Sequence, residues 1–136
     1  MSMDSAQDFK KKLTSKIRRI RRYIERLPRD AGLIALLFFN EQFKKEESPT
    51  GQKWKGRKDG DTTRNLLVKS GRLRKSIRIA GISNNSVKIG TNVQYAKYHN
   101  EGTDRLPQRQ FIGNSPVLVR KLERIIRTKI MKILNS

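Results

Sequence analysis

The chain has 136 residues, and 32 Lys and Arg against 12 Asp and Glu give it a formal charge of +20. Self-repulsion on that scale weighs against a lone compact monomer and favours an acidic or polyanionic partner, while 35% hydrophobic content at this length allows one real core. The absence of cysteine excludes disulfides and thiolate metal sites. The N-terminus MSMDSAQDFKKK lacks the apolar core of a signal peptide, and the longest apolar run, Leu33–Phe39, falls far short of the roughly 20 residues needed to cross a bilayer. A soluble protein made in the cytoplasm is expected, with no membrane partner.

In chain order, Asp4 or Ser5 can cap a first helix, with Asp8 completing a capping box from Ser5. Phe9, Leu13, Ile17, Ile20, Ile24 and Leu27 recur at steps of four and three, the spacing of one helical stripe. Lys10, Lys11, Lys12, Lys16, Arg18, Arg19, Arg21, Arg22 and Arg26 lie between them. Such a helix either faces phosphate or is simply solvated; Lys11, Lys12, Arg18, Arg19 and Arg22 are the candidate DNA-facing residues. Pro28 has no N–H and crowds the preceding turn, so a break or kink is expected there. A second helical segment should then run from about Arg29 to Glu46. Its apolar residues, Phe38 and Phe39 among them, wrap more than one face, which suits either the core or a neighbouring subunit.

From Glu47 to Arg64 the hydrophobic periodicity stops and Gly, Pro, Asp and Thr accumulate, so this stretch reads as a loop with Trp54 folded back over the core edge. Ser70 can cap a short helix carrying Leu73 and Ile77. Ile77 and Ile79, then Val87 and Ile89, alternate with basic residues around the polar turn Ser83-Asn84-Asn85-Ser86, which predicts a β-hairpin. Asn92 can cap a short helix through Tyr95, Ala96, Tyr98 and His99, with Gly102 as its stop. Phe111 and Ile112 suggest a third short strand or an extended segment. Ser115 followed by Pro116 marks the start of a last helix, with Leu118, Leu122, Ile125, Ile126, Ile130 and Ile133 on one face.

Catalytic chemistry finds little support. His99 is the only histidine, so a His-based metal site has no second imidazole, and phosphate-cradling glycine motifs are absent. Zinc-finger spacing, an RNP-like aromatic strand and a GXXG loop are also missing, so any DNA contact should be led by phosphate and insensitive to sequence. No enzyme activity and no cofactor is expected.

An ordered set of motifs carries a more specific reading. Trp54 in a polar loop is followed by Leu66-Leu67, SGRLRKSI at Ser70–Ile77, VKIGT at Val87–Thr91, YAKYHNEG at Tyr95–Gly102 and PQRQFIG at Pro107–Gly113, before the final helix. Over roughly its C-terminal two-thirds the chain resembles the phage virion morphogenesis family, the tail-completion proteins of Mu-like and related phages. It departs from the family at Gln110, where a second proline usually precedes the phenylalanine. The resemblance implies a small α+β structural protein that acts late in virion assembly, at the head–tail junction or the top of the tail. It implies a homo-oligomeric ring, six subunits being one option, that docks to other neck or tail proteins and lies near packaged DNA. Made in the host cytoplasm, it would end in the virion. The segment Tyr95, Tyr98, His99, Glu101, Arg109 and Phe111 then suits contact between subunits or with a partner, as do Phe38 and Phe39.

The expected fold is α+β: long N-terminal helical segments and a C-terminal helix packed on a small, mainly antiparallel β-sheet. One domain over 1–136 would comprise a basic helical arm (1–46), a loop (47–65) and an α+β core with the C-terminal helix (66–136). The alternative function is a standalone, sequence-nonspecific nucleic-acid-binding protein.

Overall fold

A computed structural model describes residues 3–57, 60, 66–67 and 71–136. Its elements are helices α1 (Met3–Lys45), α2 (Arg72–Ser76), α3 (Ala96–Glu101) and α4 (Pro116–Leu134), with strands β1 (Arg78–Ile82) and β2 (Val87–Gly90). The α+β class and the placing of long helices at both ends agree with the sequence reading.

The expected break at Pro28 does not occur: α1 is one helix of 43 residues with the proline inside it. A proline in a helix interior forfeits one hydrogen bond and crowds the carbonyl four residues back, a penalty of about 3 kcal/mol. Packing on both sides of Pro28 outweighs this. Tyr23 is buried on the N-terminal side, while Gly32, Ala35, Phe38 and Phe39 are buried on the C-terminal side. Ser5 lies inside the helix rather than capping it, and Asp4 in the first turn, with Lys44 and Lys45 in the last, complements the helix dipole.

Helix α4 starts as expected. Ser115 is buried, its Oγ accepts from the Leu118 N–H at 3.1 Å, and Pro116 follows at the first helical position. The helix runs antiparallel along α1. Leu118 packs with Ala35, Phe38 and Phe39 at one end, and at the other Lys16 Nζ donates to the Leu134 carbonyl (2.7 Å) and Arg19 to Ser136 Oγ (2.8 Å).

β1 and β2 form the predicted antiparallel hairpin, with Ile79 opposite Ile89, Ile82 opposite Val87, and a register shift between Ile79 and Gly81. Ile89 packs near the Ala35–Phe39 cluster and Val87 meets Gly32, so the hairpin runs back along α1 toward its N-terminal half. A Cβ at Gly32 would lie 2.9 Å from both Ile79 Cδ1 and Val87 Cγ2. Alanine is worth about 1 kcal/mol over glycine in a helix, but overpacking costs about 1–3 kcal/mol. Gly32→Ala should therefore lower stability by about 1 kcal/mol in urea denaturation; a gain would show that the hairpin yields easily against α1.

The main core lies at the C-terminal end of α1, where Phe43, Trp54, Leu66, Leu73, Ile77, Val93, Ala96 and Phe111 form one cluster. Trp54 is the anchor expected of it: its ring meets Phe43 edge-on at 5.4 Å, and its Nε1 donates to the Gln110 carbonyl at 2.8 Å. Of the two readings for Phe111 and Ile112, strand or extended segment, the strand does not form. Asn100 Oδ1 accepts from both backbone N–H groups, at 3.0 and 3.1 Å, so a side chain takes the place of a ladder partner. Helix α2 follows Gly71, at φ 73°; Ser70, its expected cap, lies outside the described residues.

Candidate functional site

The segment from Tyr95 to Phe111 is assembled by backbone rather than by regular sheet. Thr91 Oγ1, not Asn92, receives the Val93 N–H before α3. Gly102 ends α3 as expected, at φ 78°, donating its N–H to the Tyr98 carbonyl. Arg109 is buried: its Nε donates to the Lys55 carbonyl (2.9 Å), its second terminal nitrogen to Gly56 (3.2 Å), and its backbone N–H to His99 (2.8 Å). This one residue ties the Trp54 loop to α3. Burial first, and then the charge of Arg57, push its guanidinium below the usual arginine value, with Glu46 pulling the other way.

The other candidate interface residues divide by burial. Phe38, Phe39 and Phe111 lie inside the chain's own core. Tyr98, Tyr95 and Glu101 are exposed, and Tyr95 stands edge-on to His99 at 5.8 Å. His99 is half-buried, its Nδ1 has no hydrogen-bond partner among the described residues, and burial, followed by the Arg109 charge, lowers its pKa. A lowered folded pKa means that the unfolded chain takes up the proton first. Stability from the neutral ring is therefore intact above about pH 6.5, the ordinary value, and is lost as pH falls below it. Thermal melts from pH 8 to pH 5 should show this loss, and His99→Gln should flatten it; identical profiles would mean the ring titrates as if solvated.

A second surface is the N-terminal half of α1. Helix α4 ends level with Lys16 and Arg19, so residues 3–15, about 20 Å of helix, extend past it. On the overhang and just beyond it, Phe9, Leu13, Ile17 and Ile24 are 64%, 44%, 49% and 51% exposed and share one arc about 80° wide. In the C-terminal half of α1 the matching arc is covered by the hairpin and by α4. Among the described residues nothing covers it here.

All five candidate DNA-facing residues are exposed, and they are not equivalent. Lys12 pairs with Asp8 at 3.6 Å, and Lys11 and Arg18, within about 40° of Arg22 around the helix, lie outside the groove between α1 and α4. Arg19 and Arg22 line a cavity of about 420 Å³ between α1 and α4, joined there by Arg26 and Lys129, with Tyr23 and Ile133 buried at its floor. Sequence reasoning did not single out Tyr23 or Lys129. The steps of three and four linking positions 19, 22 and 26 were legible, but the contribution from α4 is tertiary. A neighbouring apolar cavity of about 360 Å³ is lined by Leu27, Leu33, Ile34, Leu122 and Ile125.

Among the described residues no group of His, Asp or Glu is placed to hold a metal ion, and no helix is long and apolar enough to cross a membrane. The sequence model of the phage virion morphogenesis family matches residues 8–131. No curated protein and no solved structure matches the chain.

Proposed function

The chain belongs to the phage virion morphogenesis family, and from that membership we propose that it is a tail-completion or neck protein, acting at the head–tail junction by self-assembly and docking to neighbouring virion proteins. A structural or assembly role in a phage particle follows from the family itself. The observation that supports the finer reading is the overhanging end of α1, whose apolar stripe is left open to a second copy of the chain. Burying Phe9, Leu13 and Ile17 would stabilise such a contact by about 1.5–3 kcal/mol per side chain before association costs. The protein would assemble in the host cytoplasm and finish in the virion.

Each copy brings +20, so self-association works against like-charge repulsion. Salt screens that repulsion over about 10 Å at 0.1 M, and assembly should strengthen as salt rises. The test is native mass spectrometry of the full chain beside Leu13→Glu/Ile17→Glu. The wild type should form a closed oligomer and be found in purified particles, whereas the double variant stays folded and monomeric. A wild type that is monomeric at all salt concentrations and absent from particles would overturn the reading.

A further inference from the structure

We propose that the open end of the α1–α4 groove is a binding site for the phosphate backbone of duplex DNA, held by Arg19, Arg22, Arg26 and Lys129. Three guanidinium groups from one helix and an ammonium group from another converge on a single concavity, with Glu25 the one carboxylate on its lining among the described residues. The ion pairs Lys12–Asp8, Lys44–Glu41 and Lys53–Glu47 engage none of the four. Like charges gathered in this way raise the energy of the isolated chain, and an external polyanion reverses the sign of that contribution. Arginine predominates, and its planar fork matches phosphate oxygens. Tyr23 at the floor is held as a neutral phenol, since burial and then Asp30 raise its pKa, and a phenol can donate to a phosphate oxygen.

An extended polyanion fits better than a single phosphate or a short acidic segment. Exposed cations continue along α1 from Lys11 to Arg29, about 27 Å, which is the rise of roughly eight base pairs. On α4, Lys121 and Lys132, both exposed, lie within about 80° of Lys129 around the helix. This arc of α1 does not overlap the apolar stripe of Phe9, Leu13 and Ile17, so DNA and a neighbouring subunit can be held together. The site is independent of the assembly reading, because the groove lies within one chain.

The experiment is fluorescence anisotropy of a random-sequence 20-base-pair duplex with the full-length protein across a salt series. The wild type should bind at physiological salt. Arg22→Gln/Arg26→Gln/Lys129→Gln should flatten the slope of log affinity on log salt by about 2.7, at about 0.9 per phosphate, and weaken binding at least tenfold. The control Lys75→Gln/Lys97→Gln/Arg105→Gln removes the same charge from exposed positions away from the groove and should leave the slope unchanged. An equal fall in both triple variants would show only a diffuse positive field and overturn the site, as would no binding by the wild type. Inorganic phosphate competing as well as duplex, or polyglutamate binding as tightly with the same dependence on the groove, would overturn the assignment to duplex DNA.

Discussion

Phe111→Ala should destabilise the fold by about 3–5 kcal/mol, whatever it does to assembly. The side chain is 1% exposed, its ring centre lies 5.5 Å from that of Phe43, and Trp54 closes on Phe43 from another side. Removing the ring forfeits its transfer free energy and leaves a void beside Phe43 in the main core cluster. Its backbone N–H is tied to Asn100, so the segment cannot easily move in to fill the space. Against a total stability of about 5–15 kcal/mol the loss is large, and urea denaturation of the monomer at high dilution would measure it. Tyr98→Ala is the opposite case: at 54% exposure it should shift stability by no more than about 0.5 kcal/mol. If Phe111→Ala left the midpoint unchanged and abolished only assembly, the residue would be an interface group and the packing account would fail.

This contrast shows what the sequence could and could not convey. The hairpin was legible because its alternating isoleucines and valines and its polar turn are local signals, and the start at Ser115-Pro116 was legible for the same reason. The continuity of α1 was not, because the local chemistry of Pro28 argues for a break and the contacts that override it come from α4 and a hairpin more than 40 residues away. Phe111 and Ile112 look like strand by composition; only the fold shows that Asn100 satisfies their N–H groups. The apolar excess around Phe38 and Phe39 was visible, but their burial against Leu118 was not. The exposure falls instead on Phe9, Leu13 and Ile17, whose spacing places them on one helical stripe without saying what covers it. Charge density left α1 as either a polyanion-facing or a solvated helix. Only tertiary packing separates Arg19, Arg22 and Arg26, which meet Lys129, from the remaining cations.

Arg109→Met should lower stability by about 2–4 kcal/mol and loosen one loop selectively. The guanidinium is buried and joins the Lys55 and Gly56 carbonyls to α3, and hydrogen bonds from a charged donor contribute about 1.5–3 kcal/mol each. Removing the charge also relieves its desolvation penalty, which is why the expected loss is less than the sum of the two bonds. Arg109→Lys should recover little, since a single ammonium on a flexible stem does not span two carbonyls as a planar fork does. Trypsin offers a local readout, because Lys53, Lys55 and Arg57 lie in the tethered segment. Without the strut, cleavage there should speed up by far more than cleavage after Arg78 or Lys88 in the hairpin. Uniform acceleration at all these sites would mean that Arg109 supports the fold only globally, and unchanged cleavage would mean that Trp54, through Phe43 and the Gln110 carbonyl, holds the loop alone. Neither outcome is expected, because Trp54 fixes only the start of the segment and Arg109 holds the two residues that follow it.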